Sequence, residues 1–108
     1  MAPLIRRATA DDAARVGAIA RAAFVKYIPR IGREPTPMLA DFAAEIVAGR
    51  VTVIEAAGGV NGYMIALPEA DAYFIDSIAV DPERQGEGLG RLLIVHAATE
   101  AKRLHCQP

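Results

Sequence analysis

Residues 78–93 read IAVDPERQGEGLGRLL and join the end of an apolar, β-rich run directly to the start of a helical pattern. Gly86, Gly88 and Gly90 occupy alternate positions at this joint. Glycines let the backbone turn sharply and approach a ligand with no Cβ in the way. The first amides of a helix have no partners within the helix and lie at the positive end of its dipole. The stretch therefore predicts a phosphate-binding loop at a helix N-terminus.

The spacing of the glycines separates this loop from two better-known kinds. A dinucleotide-binding loop needs the pattern G-x-G-x-x-G, and a Walker loop needs Gly-Lys-Ser/Thr at the helix start; the chain has neither. It has instead Gln-x-x-Gly-x-Gly, with Gln85 in the first position. Arg84 and Arg91 flank the glycines and can add positive charge for phosphate groups. A strand–turn–helix joint that merely needs flexible residues is the structural alternative.

Hydrophobic periodicity and turn residues predict the elements around this joint. Thr9-Ala10-Asp11-Asp12 opens the first helix, and Gly58-Gly59 with Asn61-Gly62 flanks a turn region. The strand after that turn is expected to end before Pro68. An order of strand, two helices, three strands and helix indicates an α/β fold. The expected elements are a strand at Leu4–Ala8, helices at Asp11–Tyr27 and Met38–Ala48, strands at Val51–Ala56, Tyr63–Leu67 and Tyr73–Val80, and a helix at Leu89–Leu104.

The composition narrows the class of protein. At 108 residues, 53% of them hydrophobic, the chain can form one domain, residues 1–108, around a core. Twelve Lys and Arg against 13 Asp and Glu give a formal charge of −1, which argues against nucleic acid as a partner. Cys106 is the only cysteine, so no intrachain disulfide can form and a cytoplasmic location is expected. No uncharged apolar run approaches the roughly 20 residues of a membrane helix, so no membrane partner is expected.

The segment 78–93 resembles the acetyl-CoA signature of the GNAT superfamily of N-acetyltransferases. The resemblance rests on Gln85, Gly88 and Gly90, with Arg91 at the matching place behind them. The order of elements is similar to the N-terminal part of that fold over the whole chain. The resemblance implies an α/β GNAT-like acyl-CoA N-acyltransferase fold, with a mixed, mainly antiparallel sheet flanked by helices. It also implies an enzyme that moves an acetyl group from acetyl-CoA to a primary amine by direct attack.

The same resemblance assigns residues to the acetyl donor. In that family, backbone groups at the positions of Ile78 and Val80 pair with the pantetheine arm of acetyl-CoA, almost as an added strand. Backbone amides at positions 86–91 hold the pyrophosphate. The set of binding residues implied for acetyl-CoA is Ile78, Ala79, Val80, Gln85, Gly86, Gly88, Gly90 and Arg91.

Asp76 is the candidate general base of such a reaction, which needs one to free the lone pair of the amine. It lies within the apolar run FIDSI, four positions before Val80, and burial there would raise its pKa toward a useful value. An aspartate on the open face of the sheet, or one paired with an arginine, is the structural alternative. No general acid is assigned, because the tyrosine that commonly fills this role in the family lies on a later helix.

The predicted loop Tyr27–Met38 lies where the family places its acceptor site. Tyr27, Arg30 and Arg33 are candidates for contact with the amine substrate, and Glu34 is a second possible base. A solvated connector with charged residues for solubility is the alternative. His105 and Cys106 are adjacent, but two possible ligands do not make a metal site, and no metal is expected.

The chain departs from the family pattern at its C-terminal end. A complete domain of that family continues with a fifth strand, a helix and a hairpin, whereas this sequence stops at Pro108. We therefore expect a fragment of a longer protein, whose missing C-terminal segment completes the sheet. A homodimer that completes the sheet with a second copy is one alternative. A noncatalytic acyl-CoA-binding or interaction module is the other.

Overall fold

The computed structural model describes residues 3–24, 41–56, 58–69 and 72–104. Their elements in chain order are strand β1 (Leu4–Arg7), a 3₁₀ turn (Ala10–Asp12), helix α1 (Ala13–Phe24), helix α2 (Phe42–Val47), strands β2 (Val51–Ala56), β3 (Gly59–Glu69) and β4 (Ala72–Val80), a second 3₁₀ turn (Pro82–Arg84) and helix α3 (Leu89–Arg103). The predicted α/β fold class is confirmed. The predicted loop Tyr27–Met38 and the pair His105-Cys106 lie outside the described residues.

The four strands form one antiparallel sheet in the order β1-β2-β3-β4. Sequential order follows from the short connections between β2, β3 and β4, because antiparallel strands can be joined by tight hairpins. β2 lies at its predicted position, and β4 begins one residue before its predicted start. Within the described residues, β4 pairs with β3 alone, so its other side is an edge of the sheet.

β3 is longer at both ends than predicted, and both differences have a physical cause. Asn61 and Gly62 lie inside the strand and not in a turn. A Cβ on Gly62 would approach Ile54 Cγ2 to 3.0 Å and the Ala79 carbonyl oxygen to 3.2 Å, so the glycine serves close packing between strands.

Pro68 also belongs to β3, which contradicts the predicted strand end at Leu67. The Ala66 amide points toward β2 and donates to the Arg50 carbonyl oxygen at 2.9 Å. Backbone groups of alternate residues point to the same side, so the Pro68 nitrogen faces that side too, beyond the start of β2 at Val51. No ladder bond is lost there, and the proline is tolerated.

The sheet has an apolar core on each face. On one face α1 and α2 cover the sheet through Val16, Ile19, Phe42 and Ile46, all of them buried. On the other face α3 packs on Ile54, Met64 and Ala66 through Leu89, Leu93 and Ala97. These cores fix the C-terminal end of β4 beside the N-terminus of α3, where the glycine-rich stretch lies.

Candidate functional site

The loop between β4 and α3 is built on two glycines in the left-handed region. Gly86 has φ of 91° and Gly88 has φ of 81°, values that residues with a Cβ rarely adopt. Gly88 is the N-cap of α3, and the Leu92 amide donates to its carbonyl oxygen at 3.1 Å. The amides at positions 89–91, which precede that bond, therefore have no acceptor within the helix.

The space around this loop is open. A Cβ built on Gly86 or Gly88 would meet nothing within 4 Å. A Cβ on Gly90 would lie 3.6 Å from Val80 Cγ2, an ordinary van der Waals contact, so Gly90 lies against the end of β4. Gly86 and Gly88 therefore leave room for a ligand at the helix N-terminus.

A cavity of about 540 Å³ lies over the loop. It has contributions from α1, β4, the loop and the first turns of α3. All eight residues predicted to bind the acetyl donor line it. Four further lining residues come from outside that set. The full lining is Ala23, Ile78, Ala79, Val80, Arg84, Gln85, Gly86, Gly88, Leu89, Gly90, Arg91 and Ile94.

Some of the four additional lining residues could be expected from the sequence, and one could not. Arg84 stood out by its charge beside the glycines, and Leu89 and Ile94 lie on the helix that the loop opens. Ala23 comes from α1, and only the packing of that helix beside β4 brings it to the cavity. Nothing local in the sequence could have indicated Ala23.

The edge of β4 presents free backbone groups beside the cavity. The Asp81 amide donates to the Asn61 carbonyl oxygen at 2.7 Å, so residue 81 faces β3. By alternation Ala79 faces β3 as well, and the N–H and C=O groups of Ile78 and Val80 point to the opposite side. Within the described residues no strand lies on that side. These groups can accept an extended ligand as an added strand.

The charge around the loop is mixed. Arg84 Nη1 lies 3.7 Å from Glu87 Oε2, and both side chains are partly exposed. Arg91 is exposed and lines the cavity, whereas Glu87 is absent from the lining. Two arginines therefore line the cavity, together with the positive end of the α3 dipole. The arrangement suits an anion.

Asp76 lies away from the cavity and is exposed, so the burial expected for it is wrong. Ile65 pairs with Ser77 and Ala66 pairs with Ile75, which leaves Asp76 as the extra residue of a β-bulge. The neighbouring Phe74 and Ile75 are exposed too, so among the described residues this whole part of β4 is open. Asp76 does lie within β4, as the sequence indicated, at the middle of the strand, and its role as a base stays a prediction.

Tyr63 lies fully buried beside the bulge. Its hydroxyl is 2.8 Å from the Ser77 hydroxyl, and its ring packs edge-to-face on Phe42 at a centroid distance of 5.4 Å. Burial raises the pKa of the Tyr63 phenol, and the nearby charge of Asp76 raises it further. Tyr63 is thus a neutral, packed side chain.

The remaining predicted site residues are Tyr27, Arg30, Arg33 and Glu34, and they lie outside the described residues. In the described ranges, no group of three or more His, Cys, Asp or Glu side chains is placed to hold a metal ion. No helix in those ranges combines the length and apolar character that a membrane crossing requires.

Comparison with known proteins covers both the sequence and the fold. A family model described as acetyltransferase (GNAT) domain matches residues 48–107, which is more than half of the chain. No curated protein matches the chain.

Several solved structures have a similar fold, although their sequence identity to this chain is low. One is the PaiA N-acetyltransferase of Thermoplasma acidophilum in complex with coenzyme A, with 17% identity and a TM-score of 0.80 over 95% of this chain and 74% of that one. The ribosomal-protein-S18-alanine N-acetyltransferase of Escherichia coli has 22% identity and a TM-score of 0.71, over 94% of this chain and 61% of that one. A GNAT family acetyltransferase of Brucella melitensis in complex with acetyl-CoA has 23% identity and a TM-score of 0.70, over 97% and 71%.

The family match and the geometry describe the same part of the molecule. The matched residues begin just before β2 and run through the sheet, the glycine-rich loop and α3. The solved acetyltransferases extend the likeness to β1 and α1, because they cover nearly the whole chain. With its loop, its cavity and its antiparallel sheet in this arrangement, the chain belongs to the GNAT acetyltransferase family.

Proposed function

We propose that this chain is the acetyl-CoA-binding part of an N-acetyltransferase that moves the acetyl group to a primary amine by direct attack. The observation that carries the proposal is the 540 Å³ cavity over a glycine loop, at the N-terminus of α3 and beside the free edge of β4. It offers backbone donors for a diphosphate and strand groups for an extended arm. Several similar structures are described as complexes with coenzyme A or acetyl-CoA, which supports this choice of ligand.

The residues that hold acetyl-CoA in this proposal have separate tasks. The amides at positions 86–91 bind the pyrophosphate, because those at 89–91 have no acceptor within the helix and lie at the positive end of the α3 dipole. Arg84 and Arg91 place positive charge near the same pyrophosphate. Gln85 lines the pocket beside the loop, and Ala79 packs at its wall.

The outward backbone groups of Ile78 and Val80 pair with the pantetheine arm and align it along β4. The ligand supplies an activated thioester, and the chain orients it by fixing both the arm and the diphosphate. A bound and aligned reactant reaches the acceptor at a lower entropic cost than a free one.

Asp76 is the proposed base that takes the proton of the attacking amine. Because its side chain is exposed and outside the cavity lining, the proton reaches it from an acceptor on the open side of β4, directly or through one water. Glu34 is the weaker alternative for the same role. Tyr27, Arg30 and Arg33 are proposed acceptor contacts. A cytoplasmic location also remains a prediction.

Two measurements test the proposal. Calorimetric titration with acetyl-CoA measures donor binding, and release of free thiol over a panel of small amines, polyamines and peptides measures turnover. We expect saturable binding and thiol release with at least one amine. Tight binding with no turnover on any acceptor would favour the noncatalytic acyl-CoA-binding module. Absence of binding would refute both.

A further inference from the structure

We infer that Arg15 is a positioning residue for the glycine loop: from α1 it holds Asp81, the residue at which the chain leaves β4. This inference rests on the proposed function, because it concerns the site that would bind acetyl-CoA. Arg15 Nη2 lies 2.7 Å from Asp81 Oδ2 across a separation of 66 residues. Arg15 does not line the cavity, so any effect on the ligand passes through the loop.

The Arg15 side chain is fixed by β3 as well as by Asp81. Its Nε donates to the Val60 carbonyl oxygen at 2.8 Å, and its Nη2 lies 3.4 Å from Asn61 Oδ1. The Asn61 side-chain amide in turn donates to the Ala56 carbonyl oxygen. A planar guanidinium that spans two partners has a defined direction, which a single ion pair between flexible side chains lacks.

The polar groups of Asp81 connect the start of the loop with β3 and with α1. Its Oδ1 accepts from the Glu83 amide at 3.0 Å, and its carbonyl oxygen accepts from the Arg84 amide at 2.8 Å. Its own amide donates to the Asn61 carbonyl oxygen at 2.7 Å. The carboxylate thus sets the direction of the 3₁₀ turn Pro82–Arg84, while Arg15 occupies its other oxygen.

We expect the loop to depend on this anchor because two of its next residues are glycines, which restrict the backbone least. Gly86 and Gly88 follow the turn, and both have open space at the Cβ position. The stretch is held at its far end by α3 and at its near end by Asp81. If the Asp81 side chain were not held, the loop amides would therefore adopt several arrangements. Only one of these would fit a diphosphate. A ligand binds less tightly when its competent arrangement is only a fraction of the population.

A salt bridge that only adds stability would behave differently. The Arg15 side chain is 43% exposed, and pairs of this kind contribute about 0–1 kcal/mol to folding. Arg50 provides a control of equal charge and similar exposure, since its side chain is 45% exposed, pairs with Glu45 at 3.6 Å and does not line the cavity. A loss of stability alone would lower the free energy of unfolding and leave the affinity of the folded protein for acetyl-CoA unchanged in both Arg15→Gln and Arg50→Gln.

The test combines acetyl-CoA titration, urea unfolding and steady-state kinetics on Arg15→Gln, Asp81→Asn, the double variant and Arg50→Gln. We expect each single loop variant to weaken acetyl-CoA binding about fivefold, and the double variant to bind no worse than either, because both remove one contact. The Michaelis constant for acetyl-CoA should rise by the same factor while kcat at saturation stays unchanged. Arg15→Lys keeps the positive charge and loses the planar guanidinium with its several donors, so it should recover part of the affinity.

The outcomes separate this inference from the proposed function. Wild-type affinity in Arg15→Gln, or losses that multiply in the double variant, would overturn the role of Arg15 and leave acetyl-CoA binding intact. A loss of affinity equal to that of Arg50→Gln would overturn it as well. If the unaltered protein does not bind acetyl-CoA, the proposed function itself fails before the variants are compared.

Discussion

Gly88 combines two properties at the residue level, a left-handed backbone and an empty Cβ position facing the cavity. Valine at this position would be strained and would place its methyl groups where the diphosphate is proposed to lie. We expect Gly88→Val to weaken acetyl-CoA binding by at least about tenfold, as measured by calorimetric titration.

Gly58 is the matched control for Gly88. It has φ of 87°, also has nothing within 4 Å of its Cβ position, and does not line the cavity. Gly58→Val should lose about 1–2 kcal/mol of unfolding free energy from backbone strain, and keep its affinity for acetyl-CoA. Similar losses of affinity in both variants would show that Gly88 acts through folding alone.

For Asp76 we predict a different effect. An exposed base outside the cavity should contribute to the rate of turnover and should change the affinity for acetyl-CoA little. We expect Asp76→Asn to lower kcat about 100-fold, within the usual range for a general base, while the affinity for acetyl-CoA changes little. Thiol-release kinetics over a pH series provide the measurement. Asp11→Asn, an exposed aspartate on the first 3₁₀ turn, is the control and should match the unaltered protein. Equal rates for Asp76→Asn at every pH would remove Asp76 from the mechanism.

At the level of elements, Asp12 ties β1 to the start of α1. Its carboxylate accepts from Arg6 Nη1 at 2.8 Å and from the Thr9 amide at 2.7 Å. The hydrogen bond from Arg6, followed by that from Thr9, lowers the pKa of Asp12 from its ordinary 3.8 to about 2 despite the opposing effect of burial. A lowered pKa means that the folded state favours the ionised form, so the contribution to stability is complete above the ordinary pKa.

This contribution should disappear as the pH falls from about 4 through about 2. We expect Asp12→Asn to lose about 2 kcal/mol of unfolding free energy near neutral pH, and to approach the unaltered protein at the acid end of that window. Urea unfolding at a series of pH values provides the measurement. Glu100→Gln, which breaks the exposed pair with Arg103, should cost less than about 1 kcal/mol. A pH-independent difference for Asp12→Asn would contradict this account.

The elements also show which parts of the structure can be predicted from the sequence. The sequence predicts the positions of α3, β2 and β4 closely, because these follow from local periodicity. It also predicts the loop, because residues 85–91 lie next to one another in the chain. β3 was predicted too short, because Asn61 and Gly62 look like turn residues and serve contacts with distant residues. The roles of Arg15 and Ala23 depend on contacts with residues more than 50 positions away, which no local pattern reports.

At the scale of the whole fold, the part of the chain that the structure describes covers the sheet on both faces and places no strand on the outer side of β4. Phe74 and Ile75 of this strand are 48% and 37% exposed, and Leu92 and Val95 of α3 add further apolar surface. Exposed strand edges with apolar side chains are prone to pair with other strands. The outward backbone groups of Ile78 and Val80 belong to the same edge, so an added strand and the pantetheine arm would compete for it.

We therefore expect the chain to self-associate as its concentration rises, and acetyl-CoA to shift the equilibrium back toward the monomer. Sedimentation velocity with and without acetyl-CoA measures both effects. Phe74→Lys should weaken the association, because a charge on an edge strand opposes pairing. Val47→Lys is the control, since Val47 is 87% exposed on α2, away from the edge. A monomer at every concentration, or an equal effect of the two lysines, would mean that the edge of β4 does not recruit a second copy.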